Sequence, residues 1–312
     1  MDARIITGLG LAAAAVALAA CTGGKLQPQG AAAPDRQLLA QAAGFEGFMR
    51  RAGAIDAGFK GPAEVNAAVL AGARYEPQAM EAGMIAYASL AALQEPKFVA
   101  AVRSAGRTPA AQRELTRRLT ADPAVAFDIP GGSAAAGRAA AALERHGSDL
   151  GVGGRQVKKS AYTLQAQAWS KVMVSDAKGR LTRVKQAGAQ PFAGPVDPAR
   201  LQAEAGAAGR RSGAGGPVVA RALALAALSA LGEEDKGRAL MAEPKSGMCL
   251  RLAKINYHQC LASAGPYYED IYCLGQHAMI DTSQCVVEAA RAPAAQRRAE
   301  GRGGLVSASW RR

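Results

Sequence analysis

Apolar residues recur at intervals of three and four along most of the chain, the spacing that gathers side chains on one face of an α-helix. The pattern begins with Leu38, Ala42, Phe45 and Met49, flanked by Leu39 and Phe48, and Asp35 stands where an N-cap is needed. Gly61-Pro62 and Glu76-Pro77 punctuate the next predicted helices, over residues 63–73 and 78–93. In the second of these Met80, Met84, Tyr87, Leu90 and Leu93 share a face. Pro96 opens a helix over residues 97–104, and Thr108 caps another over 110–119. Pro123 and the stretch Asp128-Ile129-Pro130-Gly131-Gly132 end this first set, and Ser133 is placed to cap an Ala-rich helix ending near His146.

Residues 147–154 are rich in glycine and predict a linker. Gly151-Val152-Gly153-Gly154 has neither the preceding strand nor the Lys-Ser/Thr ending of a phosphate-cradling loop. A helix is expected over residues 160–174, with Tyr162, Ala166, Trp169 and Met173 on one side. Loop residues 190–198, a short helix over 199–208 and a Gly/Arg/Ser break up to Gly216 follow. Pro217 then starts a segment, residues 218–231, that is apolar almost all round. It is too short to span a bilayer, so it predicts a buried core helix stopped by Gly232, before the acidic turn Glu233-Glu234-Asp235.

Alanine is abundant and aromatic residues make up only 5% of the chain, a balance that suits closely packed helices better than sheets. The fold class expected is therefore all-α: a multi-helix domain with a disulfide-stapled helical hairpin at its C-terminal end. The organisation expected is a signal peptide (1–20), a flexible tether (21–34), a helical domain (35–209), a helical segment carrying four cysteines (217–290) and a basic disordered tail (291–312) that includes Trp310.

The start of the chain changes the picture. Arg4 precedes a mainly apolar run from Ile5 to Leu18, the layout of a secretory signal. The run ends in Leu18-Ala19-Ala20-Cys21, which resembles the lipobox of bacterial lipoproteins. That resemblance implies cleavage before Cys21 and acylation of its thiol, a firm membrane anchor without a transmembrane helix. Thr22 after the cysteine implies the outer membrane, with the protein facing the periplasm. The membrane, reached through the N-terminal lipid, and an envelope protein are the partners expected.

A compartment outside the cytoplasm gives the other four cysteines a purpose. Cys249, Cys260, Cys273 and Cys285 form an even set, which implies two disulfides. If residues 250–261 are helical, Cys249 and Cys260 stand about 16 Å apart along the axis and cannot pair. Residues 262–266 turn the chain and 267–278 return antiparallel. The nested pairing, Cys260–Cys273 inside Cys249–Cys285, is then preferred over the crossed one. Asp281-Thr282-Ser283-Gln284 resembles a cap for a third short helix.

The formal net charge of +13 would ordinarily suggest nucleic acid, but the secretory signal argues against that partner. Anionic phospholipid, lipopolysaccharide phosphate and peptidoglycan carboxylates are the acidic surfaces of an envelope. Arg155, Lys158, Lys159, Lys171, Lys178, Arg180, Arg183 and Lys185 face Asp176 alone over thirty-odd residues. They are the candidate patch for such a ligand, or a solvated helix surface.

Tyr257, Tyr267, Tyr268 and Tyr272, with Glu269 and Asp270, offer either a recognition surface or the cover of a small stapled core. His258 and Cys260 are the only close pair of potential metal ligands and point to different helix faces, so no metal is expected. No cofactor is expected either. The chain carries no nucleophile elbow, His-Glu zinc motif, P-loop or CxxC, and it has three histidines in all. The function expected is a non-catalytic structural or adaptor lipoprotein; the alternative is a binding module for an anionic envelope ligand.

Overall fold

A computed structural model describes residues 34–191, 194–209 and 215–291. The predicted signal peptide, the lipobox with Cys21, nearly all of the tether, residues 210–214 of the predicted break and tail residues 292–312 lie outside the described residues. Those described are helical almost throughout. The one β feature among them is an isolated antiparallel bridge between Met173 and Pro266.

Proline and short polar side chains set the helix starts. Asp35 accepts a hydrogen bond from the Gln37 amide at the start of α1 (Arg36–Gly53). Proline occupies the first turn of α2 (Pro62–Ala73), α3 (Pro77–Ala92), α4 (Pro96–Ala105) and α5 (Pro109–Ala121), where its missing N–H costs nothing. Glu76 and Thr108 cap α3 and α5 through their side-chain oxygens. The next helix, α6 (Gly132–Leu164), starts differently from the prediction. Its N-cap is Gly131, at φ +88°, and Ser133 falls inside the first turn. A Cβ on Gly131 would meet the Phe98 backbone nitrogen at 2.5 Å, so this close approach of α4 requires glycine.

With 33 residues, α6 runs straight through the glycine-rich stretch that predicted a linker. Gly147, Gly151 and Gly154 are spaced four and three apart and lie on one face. Added Cβ atoms would strike Val287, Ser283 and Met279 within 2.7–2.8 Å. These glycines form a groove that admits the C-terminal helices; they do not break the chain. The helix expected over 160–174 is also corrected. It ends at Leu164 because the Ser170 hydroxyl donates to the Leu164 and Gln167 carbonyls and folds the chain back on itself. A short 3-10 turn at Trp169–Lys171 follows, and then Val172–Val174 runs beside the Gly265–Tyr267 backbone.

Next come α7 (Ala177–Ala187), α8 (Pro198–Ala207) and α9 (Pro217–Leu231). As predicted, α9 is buried nearly all round and ends at Gly232, at φ +73°. It packs on α3, α4, α5 and α6, so residues 35–209 and 217–290 share one core. At the centre of that core α3 touches α1, α6, α8, α9 and α10 (Pro244–Ser263). It buries Ile85, Ala86, Ala88 and Ala91 as well as Met80, Met84, Tyr87 and Leu90 of the predicted face, whose fifth member, Leu93, is the half-buried C-cap.

After α10 the chain turns into α11 (Tyr267–Cys273), a π-helix at Leu274–Asp281, and α12 (Thr282–Ala289). The two disulfides are nested, Cys260–Cys273 inside Cys249–Cys285, with Cα–Cα distances of 5.6 and 5.7 Å. Asp281 does not cap α12, because the π-helix feeds straight into it; its carboxylate is used elsewhere. Among the described residues no helix is long and apolar enough to cross a membrane.

Candidate functional site

The stapled end of the molecule carries an open cleft of about 220 Å³. One wall is the last exposed turn of α6, with Ala161, Tyr162 and Gln165. The other walls are the end of α10, with Cys260, Ser263 and Ala264, and α11, with Tyr268, Glu269, Tyr272 and Cys273. The inner disulfide thus forms part of the cleft and fixes α11 against α10. Tyr162, 58% exposed, stands edge-on to Tyr272 at a centroid distance of 6.1 Å. The Glu269 carboxylate accepts from the Gly265 amide at 2.8 Å and from the Tyr268 hydroxyl at 3.4 Å, so it also shapes the turn.

A relay of polar side chains leads away from the cleft. The Lys158 ammonium lies 5.2 Å from the centre of the Tyr272 ring and donates to Gln276 Oε1 at 2.7 Å. Gln276 Nε2 donates to Asp281 Oδ1 at 2.8 Å, and Asp281 Oδ2 pairs with His277 Nδ1 at 2.7 Å. Burial raises the Asp281 carboxyl, but the bonds from His277, Gln276 and Asn256 outweigh it and hold the group below its ordinary value. Three of these residues sit on the π-helix, whose wider turn lets Gln276 and His277 reach the same carboxylate.

Beneath the cleft lies a buried ion pair. Arg180, at 3% exposure, donates from Nη1 to Asp270 Oδ1 at 2.5 Å, and from Nη2 to the Leu261 carbonyl and to the Ala264 carbonyl at 3.3 Å. These acceptors lie at the end of α10 and on α11, so Arg180 bolts α7 to the turn that carries Ser263, Tyr268 and Glu269. Burial raises the Asp270 carboxyl to about 6, against the pull of Arg180.

The basic candidates are therefore divided. Arg155 and Lys159 are exposed on α6, and Lys158 is half-buried beside the cleft. Lys171 is exposed beyond the end of α6; Lys178, Arg183 and Lys185 are exposed on α7, which packs on α2 and α10. Arg183 pairs with Asp176 at 3.0 Å. Arg180 is removed from the patch altogether, because its charge is spent inside the protein. The tyrosines divide too: Tyr257 and Tyr267 are core residues, whereas Tyr268, Tyr272 and Glu269 line the cleft. Gln165 and Ser263 carried no sequence signal as site residues, since neither stands in a motif.

Two of the three histidines have structural surroundings. His146 makes edge contacts with Phe45 and Tyr87, and its Nε2 is 3.0 Å from the Tyr87 hydroxyl. Burial lowers it to about 4, so it is neutral in the core. His258 is likewise lowered to about 4, by burial first and then by Lys254 and Lys185. Among the described residues no cluster of three or more His, Cys, Asp or Glu side chains could hold a metal ion. Comparison of the chain with protein families, with characterised proteins and with solved structures finds no match.

Proposed function

We propose that this protein is a lipid-anchored envelope protein with a non-catalytic, structural or adaptor role, held by Cys21 and facing the periplasm. The observation that carries this reading is the pair of nested disulfides in the C-terminal helices, which suit an oxidising compartment. The lipobox-like Leu18-Ala19-Ala20-Cys21 supplies the mode of attachment. An adaptor needs a surface for a partner. Met248, Leu252 and Ile255, each about half exposed, make an apolar stripe along α10 at the helical spacing of four and three.

The test is to express the full chain in a bacterium fed labelled palmitate and to fractionate its envelope. Label on the protein, lost together with membrane retention in Cys21→Ser, is the expected result. An unlabelled, soluble product would refute the anchor. A photo-crosslinking residue at position 252 then examines the adaptor role, which predicts one adduct of discrete mass.

A second reading, a binding module for an anionic envelope ligand, is favoured by Arg155 and Lys159. Both stand exposed on α6, the helix that also supplies Tyr162 to the cleft. Charge reversal at these two positions is expected to weaken retention on envelope material, and added salt to do the same.

A further inference from the structure

The cleft combines features that a single class of ligand uses together. It is shallow, and at about 220 Å³ it is smaller than the roughly 300–1,000 Å³ of a drug-sized site, so it takes one ring. An acyl chain needs a deeper and wholly apolar tunnel. Here Gln165, Ser263 and Glu269, with amide, hydroxyl and carboxylate side chains, line the cleft alongside Tyr162, Tyr268 and Tyr272. Tyr162 is exposed although it is aromatic, which leaves a ring free for an incoming apolar face.

From this arrangement we propose that the cleft is a saccharide-binding site, taking one pyranose ring of an anionic glycan. The axial C–H groups of a pyranose carry partial positive charge and meet the negative face of an aromatic ring, while its hydroxyls need donors and acceptors around the edge. Tyr162 supplies the stacking face, with Tyr272 edge-on beside it. At the edge the Gln165 amide can donate and accept, while Glu269 and the Ser263 oxygen, whose own hydrogen is bonded back to the Gln259 and Cys260 carbonyls, accept. Lys159 lies one helical turn before Tyr162 and Lys158 stands over Tyr272, so a carboxylate on the glycan meets positive charge. The proposal deepens the reading of an anionic envelope ligand and rests on it for the source of the glycan alone.

The experiment is saturation-transfer NMR on the purified full chain, with N-acetylglucosamine oligomers and hexuronate oligomers as soluble probes and with isolated peptidoglycan sacculi in a sedimentation assay. Saturation of the ring C–H protons is expected, stronger for the hexuronate. Tyr162→Ala should weaken binding about tenfold, the loss of one stacking contact, while Tyr162→Phe retains it. Tyr162 is exposed, so circular dichroism should show both variants folded. Sacculi sedimenting with the protein, released by the soluble oligomers, would place the source in the polymer; binding of the oligomers alone would leave the site in place with a soluble saccharide as its ligand. Failure of every saccharide to bind overturns the proposal, as does binding indifferent to Tyr162→Ala. If Arg155→Glu and Lys159→Glu abolish retention on sacculi while Tyr162→Ala does not, the basic surface survives as a binding site and the saccharide cleft does not. Displacement by an apolar peptide but by no saccharide would assign the cleft to a protein partner and likewise overturn it.

Discussion

Lys254 is a buried lysine, and its replacement should reveal a stability difference that depends on pH. Its ammonium donates to the carbonyls of Ala73 at 3.2 Å, Gly188 at 2.7 Å and Tyr75, and lies 4.4 Å from the centre of the Tyr75 ring. Burial strips its water and lowers it from 10.5 to about 8, with Glu76 pulling weakly the other way. The unfolded chain therefore binds the extra proton between pH 8 and 10.5. Stability rises with pH through that window, and the cost of the charged form, about 3 kcal/mol, is fully present below it. Lys254→Met removes this cost but strands acceptors. The Ala73 carbonyl keeps its bond from the Tyr75 amide, whereas those of Tyr75 and Gly188 lose their donor, at about 1–3 kcal/mol each. At pH 7 the two effects oppose, and the net destabilisation is small, at most about 3 kcal/mol. At pH 10 most of the offset has gone, and the difference between the two proteins should widen by about 2–3 kcal/mol. Urea unfolding of both proteins at pH 7 and pH 10, followed by circular dichroism, measures it, since every other titration cancels in the difference. A difference that does not change with pH would refute the assignment of a desolvated ammonium to this cage.

Three further outcomes follow from the packing and the bonds. Gly275→Ala should destabilise by about 1–3 kcal/mol despite its better helix propensity, because the new Cβ lands 2.5 Å from the Lys158 backbone nitrogen; Gly53→Ala, with nothing within 4 Å, should stabilise by about 0.4–1 kcal/mol, and thermal unfolding reads both. Replacing Cys249 and Cys285 by alanine opens a 36-residue separation and should cost about 4 kcal/mol, against about 3 for the 13-residue separation of Cys260 and Cys273; the reverse order in urea unfolding would contradict the loop-entropy account. For Glu46, burial raises the carboxyl, but the forked bonds of Arg200 and the bond of Arg50 outweigh it and hold the group below 4.5. Its stabilisation is therefore present above that value and lost as pH falls through the lower, folded one, so the advantage of the native chain over Glu46→Gln should shrink in acid unfolding.

The helices are legible in the sequence where proline and capping residues mark their starts. For the cysteines, a helix over 250–261 excludes only Cys249–Cys260, and the antiparallel return then favours the nested pairing over the crossed one, as found. The sequence misleads at residues 147–154, where glycine signals backbone freedom and α6 runs straight through. The operative property is small size: glycines four and three apart read as a groove once a partner helix is known, and α12 and the π-helix stand far away in sequence. The π-helix, packed on α6 and α10, has no counterpart in the spacing of apolar residues. The cleft was half legible. Tyr268, Tyr272 and Glu269 stood out as a group with Tyr257, Tyr267 and Asp270, but which of the six face outward depends on a register that only the folded hairpin fixes.

Among the described residues two Lys/Arg side chains are buried. Arg180 and Lys254 both end among backbone carbonyls at helix C-termini, where the last turn leaves acceptors without intrahelical partners and where the helix dipole favours positive charge. A long side chain with several donors can satisfy two or three such carbonyls at once, at the expense of its own hydration. Periodicity marks both. Lys254 lies in the stripe Leu250, Lys254, Tyr257 and Leu261, and Arg180 shares a face with Val184, all buried. A basic residue within an apolar stripe is thus part of the frame, and it must be subtracted before the surface is weighed. With Arg180 buried and Arg183 paired with Asp176, the charge that meets a glycan in the cleft comes from α6, from exposed Lys159 one turn before Tyr162 and from half-buried Lys158 against Tyr272.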